Sequence, residues 1–271
     1  MKRQKSNRPA KSSKNRVQSE RLPLWTEAEF HQRMRQVGEE SYYDKHPFHL
    51  LLQEGKLSRD AIKCWIRNRF YYQRNIPVKD AHILANAPRF VRKIWLHRIT
   101  DHDGGDASGQ PGGILSWVRL DLGVSAEGPR DFAAKSSEEQ TRILLAHEEK
   151  LNTAPVLPGV QSAVGDYVEF ARTARWELAV ASSLTEMFAP DLMTRRLAGL
   201  EQNYPEIPSW SYDYFRNRPP QARRDCGEAW ALVVKHCATP QLQRQAVDAL
   251  KFKCRVLWSL LDSILAACRK K

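Results

Sequence analysis

No stretch of the chain is apolar enough to cross a bilayer, since a spanning helix needs about 18 or more consecutive apolar residues and none occurs. The charged N-terminus is not followed by an apolar segment, so no secretory signal is expected. Cysteine is scarce and scattered: Cys64, Cys226, Cys237, Cys254 and Cys268 are odd in number and contain no CxxC pair. That spacing excludes a disulfide framework and a zinc site, and it points to reduced thiols in a cytoplasm. Period-two alternation of β-branched residues is missing, as are hairpin dipeptides, so no sheet is expected. There is no GxGxxG, no P-loop, no nucleophile elbow and no internal repeat. His147 is followed by Glu148, Glu149, Lys150 and Leu151, which is not the HExxH zinc pattern.

The charge that is present is unevenly spread. Of the net +12, residues 1–22 contribute +7 and residues 23–271 the remaining +5. The first segment has almost no apolar residue and is expected to be a disordered basic tail. It is the one hint of a nucleic-acid partner, because the body has no helix-turn-helix or RNA-binding signature. With 42% hydrophobic residues and eight tryptophans, the rest is expected to fold as one all-helical domain over 23–271.

Helix signals follow in order. Thr26 and Glu29 form a capping-box pattern before Phe30, Met34 and Val37. Pro47 can open a short second helix, and Ser58 can cap a long third one that Pro77 should kink or break. A further helix is expected from Pro88 to Gly104, then a flexible loop over 104–113 and a polar stretch with a helix from Ser137. One long helix should run from Pro158 to about Phe188, another from Pro190 to Tyr204, and two more over 219–237 and 240–268. The last carries the stripe Val247, Leu250, Cys254, Leu257, Leu261 and Leu265, with Lys253 on its edge. The fold expected is a compact all-α bundle of seven to nine helices.

Trp65 to Asp80 is the informative stretch. Ile62, Trp65, Ile66 and Phe70 give it a buried face, yet Arg69, Tyr72 and Gln73 project from one side, with Lys79 further on. A buried arginine needs an anion beside it. The row therefore suits either a pocket for an anionic small molecule or an arginine–carboxylate pair at a helix crossing. Arg98 and His102 are i, i+4 neighbours at a helix end, where the imidazole can serve as a general acid/base or simply cap the helix. His31 and the pair His46 and His49 have histidine-ligand character but no supporting spacing, and no metal is expected.

The segments YYDKHPFH, WIRNRFYYQRNIPVKDA, RITDHDG, LPGV with the following Tyr167, SSLTEMFAP, YDYFRNR and LKFKCRVLW resemble the pyrroloquinoline-quinone synthase family. The resemblance runs from about residue 25 to 265 in the family's own order. It implies a haem-oxygenase-like helical fold and a homodimer. It also implies an oxidase that closes the last ring of a tricarboxylated quinone precursor, with molecular oxygen as co-substrate and neither metal nor organic cofactor. Carried onto this chain, it makes His102, Tyr214, Arg218 and Lys253 catalytic. Tyr42, Tyr43, Arg69, Tyr72, Gln73, Lys79, Arg98, Tyr167 and Arg196 become substrate-binding residues. Several ligand carboxylates need several Arg and Lys partners, and His102 would move a proton while Lys253 and Arg218 stabilise developing negative charge.

The chain departs from the family pattern where Tyr43 and Met193 stand in place of histidines, and in an insertion expected over 124–155. Tyr43 can donate a hydrogen bond, but an ordinary phenol with a pKa near ~10 is a poor base at neutral pH. The same scaffold is compatible with a different substrate, oxidised with or without a metal, or with a binding protein that holds a quinone.

Overall fold

A computed structural model describes residues 22–104 and 111–269. The tail expected over 1–22 lies outside them apart from Leu22, as does most of the loop expected over 104–113. The described residues form twelve α-helices and no strand. In chain order these are α1 (Glu27–Ser41), α2 (Pro47–Gln53), α3 (Arg59–Asn86), α4 (Arg89–Trp95), α5 (His97–Asp103) and α6 (Gly113–Ser125). They continue with α7 (Ser137–Thr153), α8 (Pro158–Thr173), α9 (Trp176–Ser182), α10 (Ala189–Asn203), α11 (Asp213–His236) and α12 (Pro240–Arg269). The all-α expectation holds, with more helices than the seven to nine expected because several long runs are broken.

Local signals set many boundaries. The Thr26–Glu29 capping box forms, with the Thr26 N–H donating to Glu29 Oε2 at 2.8 Å, and Phe30, Met34 and Val37 are buried. Ser58 accepts from the Ala61 N–H at 3.2 Å to start α3, which packs against α5, α6, α8 and α12. The aromatic core beside it joins Trp65, Trp117 and Phe215 from α3, α6 and α11. Gly38 lets α1 approach Phe188, whose ring lies 2.0 Å from where a Cβ would stand.

Five expectations need correction. α3 passes through Pro77 without a break; the missing N–H leaves only the Gln73 carbonyl without its helical donor. α11 likewise begins at Asp213, ahead of Pro219 and Pro220, rather than after them. The helix expected from Pro88 to Gly104 is split at Leu96 into α4 and α5, and the one from Pro158 ends at Thr173. There the Asn86 side chain donates to the carbonyls of Ala171 and Arg172, so a cap supplied from the end of α3 terminates α8. Finally, α6 lies in a stretch read as polar. It is buried nearly all round, including Trp117, Val118, Leu120 and Leu122, and the Trp117 indole donates to the Ile66 carbonyl at 2.8 Å.

The stretch 124–155 contributes α7, which packs on α6. His147 of α7 contacts Asp121 at 2.8 Å, and Arg67 meets the other oxygen of that carboxylate at 3.3 Å. None of the five cysteines forms a disulfide. His31 packs edge-on against Trp230, and His46 caps α2 while contacting Asp262.

Candidate active site

A cavity opens between α3, α5, α8, α10, α11 and α12. Helix periodicity explains the α3 contribution: Arg69, Tyr72, Ile76, Lys79 and Asp80 fall on one side and all line the wall. The Arg69 guanidinium stacks on Tyr72, 3.7 Å from the ring centroid, and also faces Trp117 at 5.7 Å. Its Nε and Nη1 are buried without a hydrogen-bond partner among the described residues. Lys79 pairs with its neighbour Asp80, whose Oδ1 also accepts from the Trp95 indole at 2.7 Å. Burial raises the Asp80 carboxyl, but Lys79 and Arg98 outweigh it and hold the group below its ordinary value.

Across the cavity, Lys253 comes from the stripe edge of α12. It is 1% exposed, bonds to the Tyr72 hydroxyl and lies 3.3 Å from the Tyr167 ring centroid. Burial, reinforced by Lys79 and Arg69, pushes the Lys253 amine well below the ordinary lysine range. Burial also raises the Tyr72 phenol well above its usual value, with Arg69 acting in opposition.

Arg98, His102, Tyr214 and Arg218 form a third wall. Arg218 meets Glu186 Oε1 at 2.6 Å and Asp225 Oδ2 at 3.1 Å, and Arg98 reaches the same Asp225 oxygen at 3.3 Å. Asp225 itself sits behind the cavity, 2% exposed, where His97 and Arg224 also contact it. Despite burial, which raises it, the Asp225 carboxyl is held far below the carboxylate range by Arg98 and its other partners. His102 both lines the cavity and bonds within its helix, its Nδ1 lying 3.1 Å from the Arg98 carbonyl. A carbonyl only accepts, so Nδ1 carries the proton and Nε2 keeps its lone pair. Burial, then Arg218, lowers the imidazole to about 3.

The fourth wall holds Tyr42, Tyr43 and Met193. Burial raises the Tyr42 phenol well above its usual value, whereas Tyr43 goes the other way. Burial raises Tyr43 too, but Arg196 and Arg69, by charge and by hydrogen bonding, bring it below the usual phenol value. Arg196 is 1% exposed and lies behind this wall, its guanidinium 5.3 Å from the Tyr43 ring centroid. It donates to His49 Nε2 at 2.6 Å, and burial together with Arg196 keeps that imidazole well below its ordinary pKa.

Of the thirteen residues expected at the site, eleven line the cavity. Gln73 and Arg196 are buried one row behind it, and the Tyr214 hydroxyl lies 3.5 Å from Gln73 Oε1. Tyr212 and Arg216, which alternate in sequence with Tyr214 and Arg218, do not line it; Arg216 pairs with Glu201 at the surface. Sequence reading missed Asp80, Glu186 and Asp225. Asp80 adjoins Lys79, and Asp225 follows Arg218 by two helical turns, so their positions were legible while their partners were not.

The charge balance is lopsided. Arg69, Lys79, Arg98, Arg196, Arg218 and Lys253 are all at most 6% exposed, and three carboxylates, Asp80, Glu186 and Asp225, accompany them. Those carboxylates pair with Lys79, Arg98 and Arg218, so Arg69, Arg196 and Lys253 have none among the described residues. Such a site has the chemistry to bind a polyanion.

The TENA/THI-4/PQQC family matches residues 31–140 and 144–263. A pyrroloquinoline-quinone synthase of Pseudomonas aeruginosa is 44% identical over 241 residues, covering 89% of this chain and 88% of that protein. The pyrroloquinoline-quinone synthase of Ectopseudomonas mendocina is 45% identical over 243 residues, 89% and 88% of the two chains. Among solved structures, a domain of unknown function with a heme oxygenase-like fold from Shewanella denitrificans superposes with a TM-score of 0.68. It is 10% identical and covers 91% of this chain and 95% of its own. A TenA homolog from Pseudomonas syringae pv. tomato gives 0.58 at 11% identity, over 91% and 98%. These two share the fold. The chain belongs to the TENA/THI-4/PQQC family, with pyrroloquinoline-quinone synthases as relatives at 44 to 45% identity and a haem-oxygenase-like fold.

Proposed function

We propose that this protein is an enzyme of pyrroloquinoline quinone biosynthesis that closes the last ring of a tricarboxylated precursor and oxidises it with molecular oxygen. The observation that carries this reading is that Arg69 and Lys253, both lining the cavity, have no carboxylate partner among the described residues, with a third such cation, Arg196, one row behind them. A ligand with several carboxylates would supply the missing partners. Guanidinium groups give bidentate contacts that fix an aromatic ligand's orientation as well as its affinity.

The remaining residues fit the chemistry. Each two-electron oxidation moves two electrons and two protons from the ring to oxygen, yielding hydrogen peroxide. His102 presents an unprotonated Nε2 to the cavity. With its pKa near 3 it is a weak base on its own, and a bound anion beside Arg218 would offset part of that depression. Arg218, fixed by Glu186 and Asp225, is positioned to stabilise reduced oxygen species as negative charge develops.

The chemistry needs no metal or organic cofactor in this reading. His97, Asp101 and Asp225 have ligand atoms within 4.8 Å of one another, yet none lines the cavity. Arg98, Arg218 and Arg224 already contact the Asp225 carboxylate, which makes the cluster a poor cation site. Met193 favours a second reading, a quinone-binding protein with reduced catalysis, because its thioether has no proton to relay. Mixing metal-stripped protein with ring-open precursor, with and without oxygen, separates the two. Oxygen-dependent quinone and peroxide formation, lost in His102→Ala, supports the enzyme. Tight binding and a spectral shift without turnover support the carrier.

A further inference from the structure

Lys253 is the cation of this cavity whose surroundings suit an amine better than an ammonium. An ammonium offers three N–H donors, yet the Tyr72 hydroxyl is the only hydrogen-bond partner Nζ has among the described residues. A neutral amine can instead accept that hydroxyl's proton with its lone pair, and Tyr72 keeps the proton to donate, since burial holds its pKa high. From α3, Arg69 and Lys79 add positive charge, with Asp80 taken up by Lys79. Glu186, on the turn before α10, and Cys254, next along α12, act in the opposite sense and are outweighed by burial and the two cations. The rings of Tyr167 and Tyr72, at 3.3 and 4.2 Å from Nζ, favour a cation and oppose the burial penalty without supplying the hydrogen-bond acceptors an ammonium needs.

We propose that Lys253 stands uncharged in the free protein and takes a proton from solvent as the anionic ligand enters, so that the cavity completes its cationic set only when the carboxylates arrive. This rests on reading the cavity as a polycarboxylate site, and it adds a consequence that reading does not contain: binding consumes a proton. A ligand carboxylate beside Nζ supplies both the missing acceptors and the opposing charge, and each favours the ammonium. Neutral analogues of the same shape would leave the amine as it is, which makes Lys253 a discriminator by ligand charge.

Calorimetric titration with pyrroloquinoline quinone, a tricarboxylate, in two buffers of different ionisation enthalpy counts the protons taken up. About one proton per site is expected at pH 7, with the count fading at acidic pH once Lys253 is already protonated before binding. In Lys253→Arg, where the charge is permanent, the ligand should still bind and the uptake should vanish. In Lys253→Met the uptake should vanish and affinity should drop tenfold or more, about the worth of one charge-assisted contact. Binding by the native protein without uptake would overturn the proposal. So would uptake that persists in both Lys253 variants and disappears in His102→Asn, since the proton would then belong to the imidazole. Absence of any binding would overturn the reading of the cavity itself, and this proposal with it.

Discussion

Tyr43 lies against Arg196, 5.3 Å from guanidinium carbon to ring centroid, and this contact together with Arg69 lowers the phenol's pKa against the pull of burial. The two arginines thereby make Tyr43 a better proton relay than an ordinary tyrosine. If the phenol takes part in proton movement, Tyr43→Phe should lower kcat on the order of a hundredfold, the usual scale for losing one acid/base group. KM should change little. Steady-state rates of peroxide release measure both, and an unchanged kcat would leave Tyr43 a packing residue.

Asp225 ties together Arg98 and Arg218, the two arginines of the third wall. Asp225→Asn leaves Arg98 without its nearest carboxylate and Arg218 with Glu186 alone, and breaking a buried charge pair in this way costs about 3–5 kcal/mol. Urea unfolding should show that loss. A loss below about 0.5 kcal/mol, as for an ordinary surface substitution, would mean that Asp225 does not hold the arginines.

Stability should fall with acid over two windows. The His102 pKa is depressed to about 3, so the unfolded chain binds a proton below about 6.5 while the folded one does not, and stability drops between those values. Asp80 and Asp225 have depressed carboxyls, so their contribution is present above the unfolded value near ~4 and disappears as pH falls toward the folded values. Thermal unfolding between pH 8 and 3 should therefore show a monotonic loss. His102→Asn should make the limb between about 6.5 and 4 shallower, the depressed His49 supplying the rest, and leave the lower limb in place. A wild-type profile level through both windows would contradict these assignments.

Arg69 has no carboxylate partner among the described residues. Replacing it with methionine should raise the melting temperature of the free protein by a few degrees, on the order of 1 kcal/mol for a chain this size. The same change should weaken binding of a tricarboxylate on the order of a hundredfold. Differential scanning fluorimetry with and without pyrroloquinoline quinone reads both effects. A destabilised Arg69→Met protein would place the residue among the structural ion pairs instead.

The parts of this molecule legible in its sequence are those set by near neighbours. The Thr26 and Ser58 caps, the α12 stripe and the Arg69–Tyr72–Lys79 row follow from spacing alone. The parts that were not legible depend on remote partners. α8 ends where Asn86 of α3 caps it, and α6 hides its periodicity by being buried nearly all round. Pro77 reads as a kink or break and Pro219 as a helix start, yet both helices run through their prolines. At the site, Arg196 and Gln73 prove to stand behind the wall, a distinction between rows that helical spacing does not make. Asp225 was invisible because a carboxylate's role as counter-ion depends on which helix it faces.

The central claim is that the buried cations await carboxylates. The most direct measurement compares the affinity of purified protein for pyrroloquinoline quinone with that for its trimethyl ester, which keeps the ring system and removes the charge. The account predicts that the acid binds more than about a hundredfold tighter, since several charge-assisted contacts are lost in the ester. Equal affinity for acid and ester would contradict it.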